Sequence, residues 1–435
     1  MRKARDVHRP RAWRDPETGS RRGVPCWRIA VPWLALIALF AVPPFLSSQS
    51  WLLAYLAQTA TMIVFALSYN LLLGETGLLS FGHAAYAGLG ALVAAHVFNR
   101  YAIALPWLPL AGGVGGALAG VISGAVATRR AGTAFAMITL GIGELVAAAA
   151  WTLPDWFGGE AGVPIDRASG PMWGSWTFGP AREAYTVIAL WCLLASAALW
   201  ALSRTPFVRL ANAVRDNPVR AAAIGCNPRQ IRCAMFVLSS FFAGVAGTLG
   251  LVNVELVSTE SVGMLRSGAA LLATVIGGTG AFFGPVIGAV ALVFFSVGLA
   301  SVTQAWLFYL GLFFIVVVTG SPDGLAGFAA RAATTLSRFG WRAWSRLYLL
   351  NVCTVSCWTM ALVLAVQWAY ATQASDDVAG NPVLLGIAPI GSMTSVTALL
   401  GMICALIALG WFARRYGRRV QMQLERGTED AGAAR

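Results

Sequence analysis

Apolar runs long enough to cross a lipid bilayer follow one another along most of this sequence. A membrane-spanning helix needs about 20 mostly apolar residues, and runs of this kind recur from Ile29 onward. Hydrophobic residues make up 58% of the chain and charged residues only 11%, too few to cover the surface of a soluble domain. The sequence therefore predicts an all-α membrane protein, a polytopic bundle of helices.

The run boundaries predict about ten core spans and two extra spans near the carboxyl end. The core candidates lie at 29–46, 51–73, 79–98, 107–127, 133–153, 184–203, 234–254, 266–280, 283–300 and 304–320, and the extra pair at 347–371 and 383–412. The chain thus divides into a basic amino-terminal segment (1–28), a transmembrane domain (29–327) and a carboxyl-terminal extension (328–435) with a basic tail.

The distribution of basic residues predicts that both ends of the chain are cytoplasmic. There are 31 Lys and Arg residues against 18 Asp and Glu, and all but four of the basic ones fall in segments placed inside. The exceptions are Arg100, Arg167, Arg182 and Arg266. Lys and Arg are enriched in the cytoplasmic loops of membrane proteins, so topology explains the positive charge and no nucleic-acid partner is predicted.

The composition excludes several kinds of chemistry from this chain. Lys3 is the only lysine and no GxxxxGK[ST] pattern occurs, whereas a phosphate-binding loop requires that lysine. The seven cysteines include no CxxC pair, and only three histidines are present, so no metal or redox site is predicted. We expect the chain not to be an enzyme and to hold no cofactor of its own.

Glu144 is the most prominent ionisable residue within an apolar run, near the middle of the span predicted at 133–153. A polar group inside a span is costly unless it is paired or faces an aqueous cavity. Glu144, with Thr139 nearby on the same helix, therefore either joins two helices by a hydrogen bond or lines a transport route. The residues alone leave both alternatives open.

Two glycine-rich segments are predicted to interrupt helices, at 74–92 and at 277–292. The residues at the first break are Ser80, Phe81, Gly82 and His83, and those at the second are Gly277, Gly278, Phe283 and Gly284. Broken helices in transporters present unpaired backbone groups to substrates. For 74–83 the alternative is an ordinary cytoplasmic turn, which suits Glu75 because a carboxylate is least costly at an aqueous edge.

Small residues at four-residue spacing predict close contacts between helices. Gly116, Gly120 and Gly124 share one face of the span at 107–127, and Gly284 and Gly288 share a face of the span at 283–300. Such spacing lets two backbones approach each other within a membrane.

The segment 204–233, between two predicted spans, carries its own helix signals. Asp216 or Asn217 can cap a helix that starts at Pro218, Gly225 can end it, and Asn227-Pro228 can start the next. The segment therefore predicts a short helix along the inner membrane face, which either rests on anionic lipid or docks a cytoplasmic partner. The basic residues on it are Arg215, Arg220 and Arg229.

Motifs along about 51–327 resemble those of permease subunits of bacterial branched-chain amino acid ABC importers. The most specific is the coupling-loop region, DNPVRAAAIGCNPRQIRCAMFVLSSFFAGVAGTL (216–249). Similar motifs follow the family's order in YNLLLGETGLLSFGHAAYAGLGA (69–91), FAMITLGIGEL (135–145), IGGTGAFFGPVIGA (276–289) and SPDGL (321–325). The chain looks most similar to the M-type permease of the pair.

The resemblance implies partners, a location and residue roles. Such permeases lie in the bacterial inner membrane, pair with a second permease and two cytoplasmic ATPases that bind ATP and Mg²⁺, and receive substrate from a periplasmic binding protein. The substrate would be a branched-chain amino acid or a related small polar solute such as an amide or urea. Glu144, Thr139 and the two breaks would line or brace the translocation route. The implied ATPase-coupling residues are Arg215, Asp216, Asn217, Pro218, Ala221, Ala222, Gly225, Asn227, Pro228 and Arg229.

The alternative hypothesis is a stand-alone secondary transporter or channel in which Glu144 carries protons. The structured segment 204–233 argues against it, because a gradient-driven carrier needs no docking element. An intramembrane enzyme is disfavoured, because Glu144 has no acidic partner within a span. The extension 328–435 departs from the family pattern, and its sequence predicts no function for it.

Overall fold

A computed structural model describes residues 26–46, 49–174, 176–301, 303, 305–321, 323–332, 349, 354 and 356–366, together with 383–384, 388–389, 401, 404–406, 408–411 and 415. The chain divides into two compact units, one formed by Met1–Val302 with Tyr309–Gly327 and the other by Thr303–Phe308 with Phe328–Arg435. Residues 1–25 of the predicted amino-terminal segment lie outside the described residues. Most of the two predicted carboxyl-terminal spans also lies outside them.

Helices account for most of the described chain. They are α1 (Cys26–Ala41), α2 (Pro43–Leu46), α3 (Ser50–Thr76), α4 (His83–Tyr101), α5 (Leu108–Ala127), α6 (Thr133–Thr152), α7 (Pro154–Phe157), α8 (Ala181–Ser203), α9 (Pro206–Asp216), α10 (Pro218–Ala223), α11 (Pro228–Val254), α12 (Met264–Gly277), α13 (Gly284–Val293) and α14 (Trp306–Gly320). A π-helix, Phe294–Leu299, continues α13, and 3-10 turns occur at Leu105–Trp107, Gly159–Ala161, Arg167–Ser169 and Thr259–Val262.

Strands are few and short. In the first unit β1 (Val163–Pro164) pairs antiparallel with β2 (Leu256–Val257), with Val163 opposite Val257. In the second unit β3 (Val383–Leu384) pairs antiparallel with β4 (Ala388–Pro389), and a short apolar helix covers Ser356–Val366.

Five helical segments of the described chain are long and apolar enough to cross a membrane. They are Ser50–Thr76, Leu105–Ala127, Thr133–Thr152, Ala181–Ser203 and Pro228–Val254, and the bent pair Trp306–Gly320 and Gly324–Ala332 would make a sixth. Other apolar helices are shorter: α12 has 14 residues, about 21 Å of helix. The prediction of a polytopic helical membrane protein is confirmed at this level.

The helices α3 and α11 form the centre of the first unit. In their most apolar 18-residue stretches 67% and 78% of the residues are buried, compared with 28% in α6. The core between them includes large, fully buried side chains such as Tyr69 and Phe236. The helix α6 is therefore a peripheral helix, with most of its surface turned outward.

Glycines bring α5 against α11 along one seam. A Cβ atom built on Gly116 would lie 3.0 Å from the Cα of Gly244, and one built on Gly120 would lie 2.6 Å from the Cβ of Ser240. Such distances leave no room for a side chain, so the predicted packing role of these glycines is confirmed.

Loop contacts gather at two opposite ends of this helix bundle. At one end Asn99 Nδ2 donates to the Pro164 carbonyl at 3.0 Å, and the Arg167 guanidinium pairs with Glu255 at 2.6 Å. At the other end Arg229 on α11 donates to the Ala125 carbonyl of α5 at 3.2 Å. The second end also holds α9, α10 and the end of α3, where the candidate site lies.

Candidate functional site

Two short helices, α9 and α10, occupy the segment between α8 and α11. Thr205 caps α9 by accepting a hydrogen bond from the Val208 N–H, and Pro206 fills the first turn. The side chain of Asn217 caps α10 by accepting from the Arg220 N–H at 2.9 Å. The predicted helix start at Pro218 is confirmed, whereas α9 was not predicted.

The end of α10 and the start of α11 also follow the predicted signals. Gly225 has φ +88°, a left-handed conformation that favours glycine, and its N–H donates to the Ala222 carbonyl at 3.0 Å. Asn227 Oδ1 then accepts from the backbone N–H groups of Arg229 and Gln230. The segment therefore has a defined conformation set by local caps.

The exposed face of α10 and the turn after it is apolar with basic neighbours. Val219 is 78% exposed and Ile224 is 71% exposed, and Arg220 and Arg229 are exposed beside them. Ala221 packs inward and is only 3% exposed. Exposed apolar side chains on a structured segment make it a candidate interaction surface.

The residues predicted for coupling fall into three classes of exposure. Ala221 is buried; Arg215, Asn217 and Pro228 are half-buried; the exposed ones are Asp216, Pro218, Ala222, Gly225, Asn227 and Arg229. The sequence-based prediction missed Val219 and Ile224. Their one signal is that they are the two large apolar residues in a segment otherwise made of Ala, Arg and turn residues.

Arg215 points into the protein instead of outward. Its Nη1 donates to the carbonyl of Gly74 and its Nε lies 3.2 Å from Asp216 Oδ1. The aliphatic stem covers Gly77, where an added Cβ would lie 2.8 Å from Arg215 Cγ. One turn earlier on α9, Asn212 Nδ2 donates to Glu75 Oε2 at 2.8 Å. Arg215 and Asn212 therefore tie α9 to the end of α3.

The first predicted break contains both a turn and a buried non-helical segment. Gly77 ends α3 in a left-handed conformation, φ +68°. Its N–H donates to the Leu73 carbonyl, the bond of the αL capping motif, and the N–H of Leu78 donates to the Leu72 carbonyl. The chain then runs through Leu78–Gly82 without helix until α4 starts at His83.

Backbone groups of this break are bonded to other helices. The Tyr69 hydroxyl donates to the Ser80 carbonyl at 2.9 Å. The Phe81 N–H donates to Thr139 Oγ1 of α6 at 3.3 Å, and the Ala84 N–H donates to Ser267 Oγ of α12 at 2.9 Å. Non-helical backbone is tolerated inside a membrane protein where it is satisfied in this way.

His83 braces the start of α4 against α3. Its Nε2 shares a hydrogen bond of 3.0 Å with Ser68 Oγ. The imidazole stacks on Phe65 with ring centroids 5.4 Å apart, and it meets the edge of Tyr69 at 5.2 Å. His83 is fully buried, as are Ser80 and Gly82, whereas Phe81 is half-buried.

The second predicted break lies at the same end of α3 as the first. Gly277, Gly278 and Gly284 are buried and Phe283 is half-buried. A Cβ atom on Gly278 would overlap the Asp323 carbonyl, and one on Gly74 of α3 would lie 3.1 Å from the Thr279 carbonyl. The Phe283 ring meets Trp33 at 5.5 Å. The second break therefore packs against the end of α3, from which the first break follows.

Glu144 and Thr139 lie on opposite faces of α6. Thr139 is buried against the first break, whereas Glu144 is exposed, beside the exposed residues Gly141 and Leu145. Within the part of the chain that the structure describes, Glu144 makes no hydrogen bond or ion pair. Among the described residues, Glu144 therefore does not join two helices by a hydrogen bond.

Long apolar helices around buried breaks, with a capped helical segment at one end, define a multi-pass helical membrane protein. The family model for the permease component of branched-chain amino acid transport systems matches residues 51–320. The chain belongs to this family.

Two curated relatives carry the same name, high-affinity branched-chain amino acid transport system permease protein LivM. The protein from Salmonella typhimurium strain LT2 is 27% identical over 315 residues, which cover 67% of this chain and 73% of the relative. The protein from Escherichia coli K12 is 28% identical over 316 residues, with the same coverage. No solved structure matches the chain significantly.

Proposed function

We propose that this chain is the permease subunit of an ABC importer that moves branched-chain amino acids, or related small polar solutes, into the cytoplasm. The family match over 51–320 carries the proposal. The similarity to two proteins named as branched-chain amino acid permeases supports this substrate class over amides and urea.

The proposed assembly contains a second permease, two cytoplasmic ATPases and a periplasmic binding protein at the bacterial inner membrane. ATP and Mg²⁺ would be bound by the ATPases. Both ends of this chain would be cytoplasmic, with about ten core spans and two more in the extension, because that topology puts most arginines inside. The contacts at two opposite ends of the first unit support a bundle whose helices alternate in direction.

The docking surface for an ATPase is proposed on α10 and the turn after it. Val219 and Ile224 offer an exposed apolar pair, and Arg220 and Arg229 supply positive charge at its rim. An apolar centre with a charged rim is the usual anatomy of a protein interface. A groove with an apolar floor and an acidic edge on the ATPase would fit this surface.

The translocation route is proposed to run along the exposed face of α6. A carboxylate in the middle of an apolar helix cannot rest stably in hydrocarbon, so it needs water or a partner chain. Glu144 on this face therefore marks a border between the two permeases where water and substrate pass. The buried breaks, including Ser80, His83 and Gly277, brace the helices behind this face.

Purification of the tagged chain from native membranes in mild detergent tests this function. We expect a second permease and two ATPases to co-purify, and the complex in proteoliposomes to import radiolabelled leucine with binding protein outside and ATP inside. Leucine uptake by this chain alone, driven by a proton gradient without ATP, would contradict the proposal and identify a stand-alone carrier.

A further inference from the structure

We infer that Asn212 and Arg215 of α9 are positioning residues, which pass movement of the docking surface to the break between α3 and α4 and through it to α6. The inference rests on the proposed function, since it assumes that an ATPase moves α10. It adds a defined route by which that movement reaches the helix that carries Glu144.

The first step of the route joins α10 to α9. Asn217 alone separates the two helices; its N–H donates to the Ala213 carbonyl of α9 at 3.0 Å, and its carbonyl accepts from the Ala221 N–H of α10 at 3.0 Å. The buried residues Val208 and Val214 hold α9 on the protein, where it packs against α3 and α11. A displacement of α10 must therefore displace α9.

The second step joins α9 to the end of α3. Arg215 donates to the Gly74 carbonyl and covers Gly77, and Asn212 donates to Glu75 Oε2 at 2.8 Å. Hydrogen bonds with one charged partner are stronger than neutral ones, and unlike apolar contacts they have a preferred direction. These two side chains therefore fix the position of α9 against residues 74–77 in a way that apolar packing alone would not.

The third step joins the break to α6 and α12. Leu78–Gly82 has no helix of its own, and its Phe81 N–H donates to Thr139 Oγ1 of α6. Gly82 lies directly against α6, since a Cβ atom on Gly143 would be 2.9 Å from the Gly82 Cα. The Ala84 N–H, just after the break, donates to Ser267 of α12. A shift of residues 74–77 is thus delivered to two further helices.

The helix α6, at the end of this route, is the long apolar helix that can move most easily. Of the five long apolar segments in the described chain, α6 has the smallest buried share, 28%. Its inner face meets the break through Thr139, and its outer face carries Glu144. Tilting α6 would therefore move Glu144 relative to a second permease, while the buried central stretches of α3 and α11 stay in place.

The test uses the complete importer in proteoliposomes and measures leucine imported per ATP hydrolysed. We expect Asn212→Ala and Glu75→Ala to retain both ATPases and to keep hydrolysing ATP, while import per ATP falls about five-fold or more. Glu75→Gln should restore coupling, because its amide oxygen can still accept from Asn212. A purely structural role would lower import and hydrolysis together and would leave their ratio unchanged.

A second pair of variants tests the contact with α6. We expect Thr139→Val, which loses the acceptor for the Phe81 N–H, to lower import per ATP in the same manner. The matched control is Thr152→Val, whose exposed hydroxyl donates only to the Ala148 carbonyl of its own helix, and it should couple normally.

The outcomes separate this inference from the function on which it rests. Normal import per ATP in Asn212→Ala, Glu75→Ala and Thr139→Val, beside an active wild type, would overturn the route and leave the import function intact. Loss of the ATPases from Asn212→Ala would also overturn it, since the contact would then serve docking. A wild-type complex that hydrolyses ATP but imports no amino acid would overturn the proposed function and the route together.

Discussion

Two residues of α6, Thr139 and Glu144, face in opposite directions and have different proposed roles. Thr139 faces inward and accepts a hydrogen bond from the first break, whereas Glu144 faces outward without a partner among the residues that the structure describes. The sequence placed both residues on one helix but could not say which face each occupied. That assignment depends on where residues 78–82 lie, and they reach α6 only through the tertiary fold.

Loss of charge at position 144 should impair transport and leave assembly intact. We expect Glu144→Gln to lower leucine import by at least about ten-fold, since a charged hydrogen-bonding group at the route is removed, while Glu144→Asp retains more activity. Import by proteoliposomes, together with co-purification of the partner subunits, checks this. Loss of the second permease from Glu144→Gln would instead assign Glu144 to holding the two permeases together.

Gly82 should tolerate no side chain. A Cβ atom there would overlap the Thr139 carbonyl, so Gly82→Ala should cost about 1–3 kcal/mol and lower the unfolding temperature of the detergent-solubilised protein. Gly141→Ala on α6 is the matched control, because nothing lies within 4 Å of its added Cβ, and it should unfold like the wild type. Equal unfolding temperatures for both variants would contradict the observed packing.

Among the helices, local signals predicted some elements and missed others. The start of α10 at Pro218 follows from Asn217, and its end near Gly225 follows from a left-handed glycine, because each signal acts within a few residues. The helix α9 was missed although its signals are present: Thr205-Pro206 can start a helix, and the buried residues Val208, Ala211 and Val214 recur every third position, on one helical face. The inward direction of Arg215 was not predictable, since its acceptor Gly74 lies 141 residues away in sequence.

If α10 and the turn after it form the docking surface, acidic substitutions there should weaken binding of the ATPases. Val219→Glu combined with Ile224→Glu should release the ATPases, because two carboxylates replace the apolar centre, and the variant should remain folded since both positions are exposed. Co-purification of the ATPases measures this. Met172→Glu, at a 71% exposed position in the loop after α7, is the control and should keep them. Retention by the α10 variant would exclude this surface as the docking site.

At the scale of the whole molecule, the family match ends close to the residue at which the first compact unit ends. The match stops at residue 320, and the first unit ends at Gly327. The multi-pass class was predictable from composition and apolar runs. The three spans predicted within 266–320 stay a prediction, because short apolar helices such as α12 do not show by length alone whether they cross.

Truncation should therefore leave the transporter functional. A chain that ends at Gly327 should still co-purify with its partners and import leucine within about two-fold of the full chain, given that separate units with their own contacts fold and act largely independently. Import per complex in proteoliposomes is the measurement. If the truncated chain lost its ATPases or its second permease, the extension would belong to the assembly.

The glycine seam between α5 and α11 has a mechanical consequence. Two helices in backbone contact over several turns have no side-chain layer between them that could slide or repack. They therefore move as one rigid body. Relative motion inside this subunit is then left to its loosely held periphery. We therefore expect transport to proceed by movement of α6 against a rigid α5–α11 pair, without rearrangement of the whole chain.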